Sequence, residues 1–112
     1  MEAQIPDDWK RDVCTVLRSG CNIHIVETTA RRTWEAAFPN DTKFDLFDTL
    51  VGGLAPAGLM GRPITNMRES GEVYEFRFSR DARDFIGKIN LCPGRKELII
   101  YSAHISLKGD KI

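Results

Sequence analysis

The chain changes its hydrophobic period once, near Gly61. Ahead of that point apolar residues recur every three or four positions, the spacing that lines one face of a helix. Beyond it they alternate, which gathers them on one face of a strand. Over residues 7–19 the positions Trp9, Val13, Val16 and Leu17 predict an amphipathic helix, with Asp7 or Asp8 to cap its first turn and Gly20 to end it. Residues 22–27 alternate weakly and are β-branched, so they read as a short strand or an extended lead-in. Thr28 or Thr29 then caps a second helix through Trp34 to Phe38, stopped by Pro39. A third helix is predicted from about Asp41 to Leu54, with Phe44, Phe47, Leu50, Val51 and Leu54 on its apolar face, and a Gly/Pro-rich break follows.

Three strands are predicted after the break. Residues 72–78 set Tyr74, Phe76 and Phe78 against Val73, Glu75 and Arg77. Residues 85–91 set Phe85, Gly87, Ile89 and Leu91 against Ile86, Lys88 and Asn90. Residues 98–106 set Ile99, Tyr101, Ala103 and Ile105 against Ile100, Ser102, His104 and Ser106. A further strand at 63–67 precedes them. The connections 79–84 and 92–97 are short, polar and rich in turn residues, so they close hairpins. The expected fold is therefore α+β: helices over about 7–55 packed on one face of an antiparallel meander over about 63–106, within a single domain covering 1–112.

Strand parity also predicts what the far face of the meander carries, namely Glu75, Arg77, Lys88, Asn90, Ser102 and His104. With the shortest symmetric hairpins, Glu75, Lys88 and Ser102 fall in one row and Arg77, Ile86 and His104 in the next. An acid, several cations and a histidine on one surface are what phosphoryl transfer on RNA requires. One group takes the 2′-hydroxyl proton, cations hold the charge on the phosphorane, and an acid protonates the leaving oxygen. In this assignment His104 is the general acid or base, Glu75 its partner in proton transfer, and Arg62, Arg77 and Lys88 stabilise the phosphate. The bland alternative is a solvated sheet face on which Glu75 and Lys88 make a surface ion pair.

Charge sharpens the picture only by its distribution. The 16 basic and 16 acidic residues cancel, but residues 1–61 carry 6 basic against 9 acidic, and residues 62–112 carry 10 against 7. A polyanion would meet the C-terminal half, where Arg62, Arg80, Arg83, Arg95, Lys96 and Lys108 are the candidate RNA contacts. Three cysteines, Cys14, Cys21 and Cys92, cannot all pair within one chain, which fits a reducing compartment. Neither a signal-peptide pattern nor an apolar run long enough for a bilayer is present, so the expected location is the cytoplasm, with no membrane partner. Cys21, His24, Cys92 and His104 lack the paired spacing of a zinc site, no phosphate-loop lysine follows the glycines of 52–61, and no cofactor is called for. Trp9 and Trp34 sit at helix-core positions.

The element order, with the segments EVYEFRF at 72–78, FIGKINL at 85–91 and LIIYSAHIS at 98–106 and the FDLFDTLVGGL helix ahead of the sheet, resembles bacterial toxins of the RelE superfamily, and within it the MqsR-like branch. That resemblance implies a small cytoplasmic ribonuclease that cuts mRNA without a metal, in some members on the ribosome, and that a cognate antitoxin neutralises. It implies a basic residue before the sheet at Arg62, a polar residue of the first meander strand at Tyr74, Glu75 or Arg77, a strand cation at Lys88, and a catalytic group at His104 or Lys108. The chain departs from the family in its sequence pI of 6.7, where those toxins are strongly basic. It also carries Phe85 or Ile86 where some members have a tyrosine, while Tyr101 is expected to face the core. Two other readings compete: a non-catalytic protein-binding module (immunity, antidote or adaptor protein), and a mobile-element accessory protein of unrelated fold.

Overall fold

In the computed structural model, which describes residues 2–106, each helix is held at its ends by a different device. α1 (Asp7–Ser19) buries Trp9, Val13, Val16 and Leu17 along one stripe, and Gly20 closes it in the left-handed conformation at φ 70°, its N–H on the carbonyls of Val16 and Leu17. The Asp8 carboxylate accepts from the Trp9 N–H of the first turn at 2.8 Å, while the position ahead of the helix is held by Pro6, whose ring fixes φ. The second helix is a π-helical turn, Glu27–Arg31, running into α2 (Arg32–Ala37). Neither Thr28 nor Thr29 caps it. The Thr29 hydroxyl donates instead to the Tyr101 carbonyl, and the Thr33 hydroxyl lies within reach of the carbonyls of Ala30 (3.0 Å) and Ala103 (3.2 Å). α3 (Lys43–Leu54) opens on Thr42 with a capping box, Asp45 accepting from the Thr42 N–H at 2.8 Å. Its buried stripe is Leu46, Phe47, Leu50 and Leu54. Phe44, expected in that stripe, is 54% exposed and lies over Gly20.

The sheet has six strands in the order β1-β3-β4-β5-β6-β2, comprising β1 (Ala3–Gln4), β2 (Ile23–Ile25), β3 (Met60–Ile64), β4 (Glu72–Arg80), β5 (Arg83–Leu91) and β6 (Leu98–Ile105). Only β2 pairs parallel, against β6. β3 starts before the expected 63–67 and ends at Ile64, which leaves 65–71 as a connection. Between β4 and β5 the expected six-residue loop contracts to Asp81-Ala82. Both residues have positive φ (54° and 62°), as a two-residue hairpin twisted with its strands requires, and pairing extends to Arg80↔Arg83.

All three helices pack on one face. Trp9, Trp34, Phe47 and Leu50 meet Phe76, Phe78, Phe85, Ile89 and Leu91 in one continuous core. Trp34, Phe38, Phe78 and Phe85 form an aromatic cluster with ring centroids 4.7–6.1 Å apart. α3 crosses β4 so closely that a Cβ on Gly53 would lie 2.5 Å from the Phe78 Cβ.

One parity expectation fails. A β-bulge interrupts the β5–β6 register: Lys88 pairs with Ser102, but Ile89 pairs with Ile100, so Tyr101 is the extra residue. Ahead of it the strand is turned over. Leu98 and Ile100 enter the core at 1% and 0% exposure, while Ile99 and Tyr101, expected in the core, lie half-buried. Ser102, expected to be accessible, is buried at 9%.

The bulge is testable by core truncation. Phe76→Ala and Ile100→Ala should cost about 3–5 and about 2–5 kcal/mol in urea unfolding, and Ile99→Ala clearly less than Ile100→Ala. Equal losses at 99 and 100 would remove the bulge from its place.

Candidate functional site

The sheet face turned away from the helices carries the expected polar set in the expected rows. Arg62↔Glu75, Glu75↔Lys88 and Lys88↔Ser102 are direct register partners across β3, β4, β5 and β6. Arg77↔Ile86 and Ile86↔His104 form the next row toward the hairpin end. Neighbouring strands are about 4.8 Å apart and successive rows about 7 Å, so five ionisable groups occupy a patch on the order of 15 Å across.

Glu75 is the centre of the patch. Its side chain is 12% exposed and lies between two cations, hydrogen-bonded by the Arg62 guanidinium and 3.9 Å from the Lys88 ammonium. A carboxylate so placed is compensated on both sides, and the cations are in turn fixed in position by it. Arg77 is exposed and donates to the Ser106 hydroxyl at 2.8 Å. The His104 ring is half-buried, with Nδ1 3.1 Å from the Ile105 carbonyl oxygen. Glu75 and His104 share the face without touching: they are two strands and one row apart, about 12 Å between Cα atoms, with Lys88 between them in strand order.

The connection 65–71 folds back across one end of this face. The Asn90 side-chain amide donates to the Ser70 carbonyl (3.1 Å) and to the Tyr101 hydroxyl (3.3 Å), and that hydroxyl donates to Glu69 (2.6 Å). Val73 and Asn90, at the end of the face that this connection crosses, are buried at 4% and 0% exposure. Burial first, and then the Glu69 carboxylate, raise the Tyr101 phenol above its ordinary range, so it stays a protonated donor.

Compared with protein-family models, curated proteins and solved structures, the chain matches none. The site is therefore read from its own chemistry. No group of three or more His, Cys, Asp or Glu side chains is arranged to hold a metal among the described residues, and no helix there is long and apolar enough to cross a membrane. Burial raises the Cys14 and Cys92 thiols and keeps them protonated.

The remaining candidate RNA contacts divide by what already occupies them. Arg95 bridges α1 to the sheet, donating to Asp12 (2.5 Å) and Glu72 (2.6 Å) with Asp8 at 3.9 Å. Arg80 is bonded to Asp41 and lies 4.1 Å over the Phe38 ring, on the helix side of the sheet. Arg83 is exposed with its guanidinium 5.6 Å over the same ring, and Lys96 is exposed. Lys108 lies outside the described residues. Sequence reasoning placed Asn90 on the correct face but gave it no role, and it assigned Tyr101 to the opposite face. A signal existed in the four apolar residues at 98–101, a run that leaves parity undecided.

The Arg95 bridge has a pH signature. Its hydrogen bond holds the Asp12 carboxyl below the ordinary aspartate range. A depressed folded pKa contributes stability above the unfolded value, near about 3.9, and that stability is lost as pH falls through the folded value. Asp12→Asn should therefore flatten the decline of Tm below about pH 4 relative to the parent protein, as followed by circular dichroism.

Proposed function

We propose that the open sheet face acts on RNA as a metal-independent endoribonuclease of the toxin–antitoxin kind, with mRNA, free or on the ribosome, as substrate and a cognate antitoxin protein as its inhibitor. The observation that carries the reading is the register row Arg62, Glu75, Lys88, Ser102, with Arg77 and His104 in the row beside it.

The chemistry suits the spacing. In-line cleavage needs a base on the 2′-hydroxyl side of the phosphorus and an acid on the opposite, leaving-oxygen side, so the two groups must not touch each other. Glu75 and His104, separated across Lys88, flank a phosphate seated on that lysine and on Arg77. The 2′-oxygen attacks as one flanking group takes its proton. The P–O5′ bond breaks as the other delivers a proton to the 5′-oxygen, leaving a 2′,3′-cyclic phosphate. Lys88, Arg77 and Arg62 hold the extra charge of the phosphorane. The nucleophile belongs to the substrate and the charge is met by side chains, so the step balances without a metal.

A second reading, a non-catalytic protein-binding module, is favoured by one observation: Glu75 is already compensated by both its neighbours, as in a purely structural ion-pair row.

Cleavage of RNA by purified protein, alone and with ribosomes, decides between them. His104→Ala and Lys88→Ala should each lower the rate about 10²- to 10⁴-fold without unfolding the protein, EDTA should leave it unchanged, and products should end in a 2′,3′-cyclic or 3′-phosphate. Equal rates in all three proteins would remove this face from the mechanism. No cleavage together with no growth arrest on expression would favour the binding module.

A further inference from the structure

Asn90 is the most deeply buried polar group on the open face, and its amide oxygen is left without a partner. It is 0% exposed, both its described hydrogen bonds leave from Nδ2, and its Oδ1 has no partner. The carbonyl of Ser70 requires a donor, which fixes the amide with Oδ1 turned away from it. A buried carbonyl oxygen without a partner costs about 1–3 kcal/mol, so its retention asks for a reason.

What covers Asn90 is a thin strap. Of residues 65–71 only Met67 is half-buried and the rest are exposed. Gly71 seals Oδ1 directly, at φ 134°, where a Cβ would stand 2.1 Å from that oxygen; only glycine permits the closure. On its other side the strap stands off the sheet over a cleft of about 410 Å³ lined by Ile64, Met67, Val73, Ser70 and Gly71. Ser70 and Gly71 are thus a partition between an open cleft and a buried amide. Two hydrogen bonds hold the partition down, from Asn90 Nδ2 to the Ser70 carbonyl and, as its outer latch, from the Tyr101 hydroxyl to Glu69; Tyr101 is present on this face only because of the bulge.

Resting on the RNA reading above, we propose that strap 65–71 is a lid over a nucleobase subsite: when it lifts, the cleft joins the Asn90 amide and the Tyr101 ring, and one unstacked base of single-stranded RNA enters. An amide offers a donor and an acceptor to a base edge and an aromatic ring offers a stacking surface, the two means by which single-stranded RNA is read. The subsite adjoins the Lys88–Ser102 row, so a base held there places its own phosphate over the proposed cleavage centre. Closing the lid in the free protein taxes the affinity by the fraction of time it is shut.

The test is binding of homopolymeric hexanucleotides of A, C, G and U, in a His104→Ala background so that the RNA stays whole. One base should bind about 10-fold or more tighter than the others, and Asn90→Leu should level the four. Tyr101→Phe keeps the ring but releases the latch, and should tighten the preferred oligomer by about 3- to 10-fold; Gly71→Ala, which forces the strap off Oδ1, should do the same by a different route. A structural role alone would give no gain in affinity. Preference unchanged in Asn90→Leu, or no gain in either latch variant, overturns the subsite. If all four oligomers bind equally and Lys88→Ala weakens them all, the subsite alone falls; if none binds to any variant, the RNA reading falls with it.

Discussion

The pairing register of β4 and β5 governs what the open face can do, because a slip of one residue would send Glu75, Arg77 and Lys88 into the core and the phenylalanines into water. Nine consecutive pairs, from Glu72↔Leu91 to Arg80↔Arg83, are counted off from one two-residue turn, Asp81-Ala82. That turn demands left-handed backbone at both positions, and alanine accepts it only at a cost of roughly 1–2 kcal/mol. The flanking pairs sustain the strain: Arg80 and Arg83, the first pair of the ladder, both lie over the Phe38 ring, and Phe78 stacks on Phe85 in the next core-facing pair. The helices hold the turn from one side, and through it they hold the rows of the other.

Much of this was legible in the chain because one-sided burial writes itself as alternation. Tyr74, Phe76 and Phe78 against Glu75 and Arg77 admit one orientation only, and the rows that follow are those of the structure. The stripe of α1 and its glycine stop were equally plain. Legibility ended where the local pattern was degenerate or the partner was distant. Leu98 to Tyr101 are all apolar, so nothing local says which of them faces inward, and the bulge is chosen by the fit of Ile100 and Ala103 to the core. β1 is two residues long and exists only because β3 lies beside it. Thr29 looked like a helix cap, but its hydroxyl went to a strand 72 residues away. Of the candidate site, the membership of the face was readable; its lid was not, since no pattern marks a loop that folds back over a sheet.

The cations illustrate why charge counts predict so little by themselves. Arg80 and Arg95 are as basic in sequence as Arg62 and Lys88. The first two are spent joining layers: burial of a shared face brings Asp41 and Asp12 beside them, and each pair holds a helix or its lead-in to the sheet. Arg62 and Lys88 converge instead on one carboxylate on the side without helices, where solvent and a ligand can reach them. The near-neutral total is thus compatible with a locally cationic surface, its acidic counterweight lying mostly in the helical layer.

The hydroxyls of Thr29 and Thr33 have a consequence for how molecules of this protein meet. β2 pairs with only three residues of β6, Leu98 to Ile100, so the rest of that strand would present bare carbonyls to any passing chain. The Val26 N–H and the Thr29 hydroxyl occupy the Ile100 and Tyr101 carbonyls, and the Thr33 hydroxyl stands 3.2 Å from that of Ala103. Sheet growth by edge-to-edge addition is thereby blocked at this border by a helix acting as a false strand, which supplies hydrogen bonds without offering a further edge of its own. At the opposite border stands the two-residue β1, too short to template a neighbour. A six-stranded sheet with a largely apolar inner face is kept discrete by its rims, and two threonines stand along one of them.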